Sequence, residues 1–178
     1  MSLSITVGLV KVCTTVIAQA ITTVEEGGVS KRRVTDHGEV FTGSREVNAM
    51  LDLVKHETER IDSRFLEPAC GNGNFLAEVL RRKLRIVESR YRKSQLEYER
   101  NAVLAVSSTY GIDILEDNVV GCRQRLLGIF AAAYTRLFKN RTRPECWNAI
   151  KFILERNIIH GDALSAIVGP NTGQVRFV

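Results

Sequence analysis

The sequence has few of the residues that mark secreted, metal-binding or membrane proteins. Its four cysteines, Cys13, Cys70, Cys122 and Cys146, are too far apart in sequence for a zinc knuckle or a redox pair, and they fit reduced thiols. No stretch reaches the ~18 unbroken apolar residues of a membrane helix. The apolar N-terminus lacks a preceding basic region and is interrupted by Lys11, which argues against export. We therefore expect a cytoplasmic protein without a membrane span.

The length and composition are those of one globular domain. The chain has 178 residues, of which 44% are apolar and 25% are charged, and these fractions exclude disordered and collagen-like classes. The formal charge of +5 permits a nucleic-acid partner without requiring one. Residues 1–33 contain Gly27-Gly28 and a basic run, and we interpret them as a leader and linker. The domain itself is expected over residues 34–178.

Amphipathic helices and short apolar strands alternate along this domain. Strands are predicted at residues 64–66, 110–115 and 157–160, with helices before the first strand and between the strands. Ser44, Ser94 and Asp117 are candidate helix caps, and the charged stretch at 81–100 is expected to form a solvated helical face. This order predicts an α/β fold with a parallel sheet, which binds ligands at the carboxyl ends of its strands.

A glycine turn follows the first predicted strand. Gly71 and Gly73 allow the backbone to turn sharply and to approach a ligand closely. The helix that begins near Asn74 offers unpaired N–H groups and a positive dipole end, which suit a carboxylate or a phosphate. The fingerprint of a dinucleotide site would need glycine at position 76, where this chain has Leu76, and this counts against NAD and FAD.

Acidic residues stand at or just beyond the ends of all three predicted strands, namely Glu67, Asp113 and Asp162. Asp113 is placed to accept two hydrogen bonds from ribose hydroxyls, and Asp162 to accept one from an adenine amino group. Together with the glycine turn, these acids suit a nucleoside that carries a carboxylate tail. His37 and His160 are interpreted as structural residues, because nothing in the sequence places a nucleophile beside either one.

Four segments carry a resemblance to a known family. The string Glu67-Pro68-Ala69-Cys70-Gly71-Asn72-Gly73-Asn74-Phe75-Leu76 closely resembles the S-adenosylmethionine motif of N6-adenine DNA methyltransferases. The segment at 37–42 resembles the one that precedes this motif in the family. Residues 111–114 resemble the family's ribose-binding motif, and residues 158–164 resemble its adenine-binding motif. The resemblance implies S-adenosylmethionine as cofactor and a Rossmann-like methyltransferase fold, with an incomplete parallel sheet flanked by helices. The cofactor-binding residues that it implies are Thr42, Glu67, Pro68, Ala69, Gly71, Gly73, Asp113, Ile114, Asp162 and Ala163.

The catalytic signature of this family is missing. The signature is Asn or Asp followed by Pro-Pro and an aromatic residue, whereas the three prolines here are Pro68, Pro144 and Pro170. We therefore predict no catalytic and no metal-binding residue. The chain is expected to be the N-terminal, cofactor-binding part of a longer restriction–modification methylase, as a piece of it or as the product of a truncated gene. DNA would be the partner of the complete enzyme.

Two alternatives share the same motifs. In the first, the chain is a non-catalytic module that binds the cofactor or docks with a separate catalytic and recognition subunit. In the second, it is a methyltransferase that acts on RNA or protein. In the family's fold the strands lie in the order third, second, first, and a fourth strand pairs beside the first. An incomplete sheet leaves that edge open, to be filled by residues 174–178 or covered by a second copy in a homodimer.

Overall fold

The computed structural model describes residues 42–164 and 167–168. The helices of this part are α1 (Ser44–Leu53), α2 (Lys55–Thr58), α3 (Asn74–Tyr91), α4 (Gln95–Ser107), α5 (Glu116–Phe138) and α6 (Pro144–Asn157), with a 3-10 turn at Lys139–Arg141. The strands are β1 (Phe65–Glu67), β2 (Thr109–Asp113), β3 (Ile158–Asp162) and β4 (Ile167–Val168). The leader at 1–33, His37 and the tail at 174–178 lie outside the described residues.

The first three strands form a small parallel sheet in the order β1-β2-β3. Glu67 lies opposite Gly111, and Asp113 lies opposite His160, so β2 extends two residues beyond the end of β1 and β3 extends two residues beyond the end of β2. β4 pairs with β3 in the antiparallel direction. Among the described residues, no strand pairs with the outer edge of β1. The expected α/β class and parallel strand order are confirmed for this part of the chain.

The helix caps agree only in part with expectation. Ser94 does cap α4, because its Oγ accepts a hydrogen bond from the Glu97 N–H at 3.4 Å. Ser44 is instead the first residue of α1, which has no side-chain cap. Leu115 occupies the N-cap position of α5 without a side-chain cap, and Asp117 lies within the first turn, where a negative charge is stabilised by the helix dipole. The predicted capping roles of Ser44 and Asp117 are therefore wrong.

The core has a large helical part and a smaller part beside β1. Aromatic rings fill the space between α4 and α5: the ring centroids of Tyr98 and Phe138 are 5.1 Å apart, and those of Phe130 and Tyr134 are 5.2 Å apart. The smaller cluster joins α1, β1 and α3 and consists of Val47, Leu51, Phe65 and Val79. It packs the first half of α3 and helix α1 against β1.

Lys83 departs from the expectation of a solvated face for the charged stretch. It is fully buried on α3, and its Nζ donates hydrogen bonds to the Ser63 carbonyl and to Ser108 Oγ. It also lies 5.1 Å from the centroid of the Phe65 ring. Burial lowers the pKa of Lys83 to about 7. The side chain thus ties together the segments that enter β1 and β2.

Candidate functional site

The loop between β1 and α3 closes over the end of the sheet. The Cys70 N–H donates a hydrogen bond to the carbonyl of Ile112 in β2 at 2.9 Å, and the Gly73 N–H donates to the carbonyl of Cys70 at 2.8 Å. The loop is therefore anchored to the neighbouring strand rather than to its own. This places the first turn of α3 directly beyond the carboxyl end of β1.

Two glycines of this region have no room for a side chain. Gly73 has a φ of +83°, and an added Cβ would lie 2.6 Å from the Sγ of Cys122 on α5. A Cβ on Gly111 would lie 2.9 Å from Leu76 Cδ1 and 3.0 Å from Cys70 Sγ. The close approach of loop, strand and helix depends on both residues. The expectation that glycine at 73 permits the sharp turn is confirmed.

Glu67 is the last residue of β1 and points into this loop. Its Oε2 is buried and has no hydrogen-bond partner among the described residues. Burial, together with the neighbouring Cys122 and Asp113, raises the pKa of the Glu67 carboxyl well above its ordinary value, and the Leu76 N–H opposes this shift. A buried acceptor without a donor is unfavourable by about 1–3 kcal/mol, so this oxygen is ready for a ligand that donates.

Asp113 is buried at the end of β2 and already accepts three hydrogen bonds. Its Oδ2 accepts from the Gly71 N–H at 2.7 Å, and its Oδ1 accepts from the Leu115 N–H at 2.9 Å and from Asn118 Nδ2 at 3.2 Å. A carboxylate has about four acceptor positions. One position therefore remains, so two hydrogen bonds from a ribose would require one of these donors to move.

The end of β3 lies beside the segment that follows β2. The Nε2 of His160 lies 2.9 Å from the carbonyl oxygen of Ile114, a distance that fits an N–H donor on this nitrogen. The side chain of Ile114 is 61% exposed. Asp162 ends β3, and its Oδ1 accepts a hydrogen bond from the Leu164 N–H at 2.9 Å, while Ala163 is partly buried. His160 thus joins the two strand ends, in agreement with its interpretation as a structural residue.

Only some of the expected site residues share one pocket. A pocket of about 30 Å³ opens beside the loop and is lined by Thr42, Glu67, Ala69, Cys70, Gly71, Asn72, Asn74 and Phe75. Its volume suits a water molecule or a single functional group and not a whole nucleoside. Pro68, Gly73, Asp113, Ile114, Asp162 and Ala163 do not line it. The expected residues therefore follow the sheet edge instead of enclosing a single cavity.

Two asparagines of the loop were not singled out from the sequence. The Oδ1 of Asn72 is buried without a hydrogen-bond partner in the described part of the chain. Asn74 donates from Nδ2 to the Thr42 carbonyl at 3.2 Å and accepts at Oδ1 from Arg125 of α5. Both lie within the ten-residue string at 67–76, and this position was the feature of the sequence that could have identified them as site residues. The contact with Arg125 joins residues 51 positions apart, and no local sequence pattern predicts it.

Cys70 lies under the loop and is not suited to attack a ligand. Its thiol is buried, and its hydrogen bond with Cys122 together with burial raises the pKa of Cys70 above its ordinary value. Because the thiolate is the nucleophilic form, a raised pKa makes this thiol inert. Its position between Gly111 and Cys122 indicates a packing role, as we expected from the sequence.

A larger cleft lies away from the strand ends. It has a volume of about 470 Å³ and is formed by α4 and the beginning of α6, with Leu96, Glu99 and Arg143 among its lining residues. The Glu99 carboxylate there accepts hydrogen bonds from Gln95, Tyr134 and Arg143. The buried acid of this cleft is therefore satisfied, whereas buried acceptors at the glycine turn lack donors among the described residues, which makes that turn the better candidate site.

No helix within residues 42–164 is long and apolar enough to cross a membrane. Comparisons of the chain with protein-family models, with curated proteins and with solved structures find no match.

Proposed function

We propose that this chain is the S-adenosylmethionine-binding part of an adenine-specific DNA methyltransferase, with a Rossmann-like fold and a cytoplasmic location. The observation that carries the proposal is the order of three acids along the sheet edge. Glu67, Asp113 and Asp162 end the adjacent strands β1, β2 and β3. Neighbouring strands are about 4.8 Å apart, and each acid lies two residues, or about 6.6 Å, beyond the level of the previous one, so the three positions follow a line of roughly 16 Å. S-adenosylmethionine has its amino acid, ribose and adenine in that same linear order.

The residues present fit the amino-acid end of this cofactor. The unpaired Oε2 of Glu67 would accept a hydrogen bond from the ammonium group. The first turn of α3 has no side-chain cap, so its N–H groups and dipole would stabilise the carboxylate. Gly73 allows this turn to pack closely against Cys122, because it has no Cβ. The pocket beside Glu67 holds only this polar end.

Ribose and adenine would then lie over the open edge of the sheet. Asp113 has one acceptor position left for a ribose hydroxyl. The exposed side chain of Ile114 offers an apolar surface for the adenine ring, and Asp162 would accept from its amino group. This proposal assigns a role to each of the three strand ends.

The chemistry of the complete enzyme would be a methyl transfer between bound reactants. S-adenosylmethionine supplies an activated methyl group on a positively charged sulfur, and the target adenine would be flipped out of the DNA. The residues of this chain would hold and orient the cofactor and would not themselves move a proton. Because the Pro-Pro signature is absent from the sequence, we expect the chain alone to transfer no methyl group.

Calorimetry with the full chain tests cofactor binding. We expect weak binding of S-adenosylhomocysteine, and weaker binding of S-inosylhomocysteine, which lacks the adenine amino group that Asp162 would accept. NAD serves as a control and should not bind. No heat with millimolar S-adenosylhomocysteine from a folded sample would overturn the proposal, as would equal binding of NAD. Incubation with radiolabelled S-adenosylmethionine and unmethylated plasmid DNA should leave the DNA unlabelled.

A second candidate function is that of a docking module for a separate subunit or for a second copy. It is favoured by the outer edge of β1, where Leu66 is 44% exposed and no strand pairs within the described residues. Exposed strand edges are templates for another chain. Light scattering over a concentration series distinguishes the cases, because a homodimer would dissociate on dilution. Methylation of RNA or protein would instead require transfer to those substrates by the complete enzyme.

A further inference from the structure

Five exposed cations lie together, far from the strand ends. Arg90 lies in the last turn of α3, and Arg92 and Lys93 follow it, whereas Lys139 and Arg141 belong to the 3-10 turn after α5. All five side chains are exposed, and none forms an ion pair within the part of the chain that the structure describes. We call these five residues the basic end.

Contacts between the two turns make the basic end a single surface. Gln95, at the beginning of α4, donates a hydrogen bond from Nε2 to the carbonyl of Arg141 at 2.6 Å. Arg136 of α5 binds both carboxylate oxygens of Glu88 on α3, at 2.6 and 3.1 Å. The turns after α3 and α5 are therefore held side by side.

Three acids near this surface are paired with arginines, and a fourth, Glu145, is exposed four residues after Arg141. Glu88 pairs with Arg136, and Glu97 pairs with Arg100 at 3.1 Å. Glu99 is buried and pairs with Arg143. The two turns contain no carboxylate of their own, so the five exposed cations outnumber Glu145 and give this surface a net positive field.

The backbone at Lys139 adds a second observation. Its φ is +49° with a ψ of −121°, a conformation that glycine adopts readily and other residues adopt at a cost in energy. Strained positions of this kind concentrate at functional sites. A lysine thus occupies a turn position at which glycine would be less strained.

We propose that the basic end binds the phosphate backbone of duplex DNA, at a contact separate from the strand ends. Phosphate contacts need only exposed Lys and Arg side chains, which is what this surface offers. Protein interfaces instead have an apolar centre, and none of the exposed large apolar side chains of residues 42–164 lies within either turn. The 18 residues of α3 separate the basic end from the glycine turn by about 27 Å.

The test compares two triple variants of the full chain that lose the same charge. The first is Arg92→Gln, Lys93→Gln and Arg141→Gln, and the matched control is Lys55→Gln, Arg64→Gln and Lys151→Gln. Binding of a 30-base-pair duplex of arbitrary sequence is followed by fluorescence anisotropy from 50 to 200 mM salt. We expect the first variant to bind roughly tenfold or more weakly, with a salt slope reduced by about 2 to 3, and the control to bind like the parent.

Several results would overturn the proposal. These are no binding of the duplex by the parent chain at 50 mM salt, an unchanged affinity in the first variant, or an equal loss in the control. Binding of poly-L-glutamate but not of DNA would overturn it in favour of an acidic protein partner. The first variant should keep its S-adenosylhomocysteine affinity, and Glu67→Gln should keep its DNA affinity, so the failure of one proposal is distinguishable from that of the other.

A single substitution separates charge from folding. Lys139→Gly removes one cation and also relieves the backbone strain, so its DNA affinity should fall about two- to threefold while its melting temperature rises. A lower melting temperature together with lower affinity would attribute the loss to unfolding and would overturn the assignment of Lys139 to the contact.

Discussion

The carboxylate of Asp113 accepts a hydrogen bond from the backbone N–H of Gly71 at 2.7 Å, across 42 residues of sequence. This bond ties the end of β2 to the glycine turn that follows β1. The same carboxylate also accepts from Leu115 and Asn118, which begin the connection into α5. Asp113 therefore shapes the site before any ligand arrives.

Replacement of Asp113 by asparagine should weaken both the fold and cofactor binding. The amide has one oxygen in place of two, so the Gly71 N–H or the Leu115 N–H loses its acceptor. Loss of a charged acceptor costs about 1.5–3 kcal/mol of unfolding free energy. Urea denaturation and calorimetry with S-adenosylhomocysteine measure the two effects. Glu97→Gln is the control, because the Glu97 carboxylate forms a surface ion pair with exposed Arg100, and an equal loss there would contradict this assignment.

Gly73→Ala should destabilise the protein strongly. The left-handed conformation costs alanine about 1–2 kcal/mol, and the contact of its Cβ with Cys122 Sγ adds to this. The double variant Gly73→Ala, Cys122→Ala should regain only the part of the lost stability that is due to the contact with Cys122 Sγ. Gly128→Ala in α5 is the matched control, since a Cβ there meets nothing within 4 Å, and it should stabilise by about 0.5–1 kcal/mol. Thermal unfolding measures these differences in stability. A Gly73→Ala protein as stable as the parent would refute the close packing of Gly73 against Cys122.

Glu67→Gln should stabilise the protein at neutral pH while weakening cofactor binding. The folded-state pKa of Glu67 lies well above its ordinary value of 4.5, so stability falls as the pH rises from 4.5 towards the folded pKa. Glutamine resembles the protonated carboxyl and avoids this loss. The difference between variant and parent should therefore vanish below pH 4.5 and grow above it. Denaturation at a series of pH values measures it, with Glu97→Gln as the control, and a pH-independent difference would show that burial of the charge is not the cause.

Lys83 should make a contribution to the stability of the parent that rises with pH above neutrality. Its folded pKa of about 7 lies below its ordinary value of 10.5, so between these values the unfolded state binds more protons. The unfolding free energy then rises by up to about 1.4 kcal/mol per pH unit, whereas below pH 7 this contribution is constant. Lys83→Met should abolish the rise, and Lys93→Met should not. Measurements between pH 7 and 8.5 avoid the opposing effects of Cys70 and Tyr98, whose pKa values are raised.

The sequence by itself determined the features that depend on neighbours along the chain. Apolar residues at helical spacing predicted α1 and α3. The sequence also predicted the cap at Ser94 and the beginning of α6 near Pro144, because helix-terminal preferences act within one turn. The glycine turn after β1 was also predicted, since Gly71 and Gly73 permit a backbone path that other residues resist. The alternation of helices and strands was enough for the α/β class.

Only the tertiary structure decided which distant groups meet. Lys83 looks like any surface lysine of a charged helix, and its burial follows from the positions of Ser63 and Ser108 at the entries to β1 and β2. The three donors on Asp113 and the unpaired oxygen of Glu67 likewise depend on contacts between elements. Burial and long-range hydrogen bonding are properties of packed surfaces, which no local pattern of residues encodes. The sequence thus placed three acids at three strand ends, and the fold decided which of their oxygens remain open to a ligand.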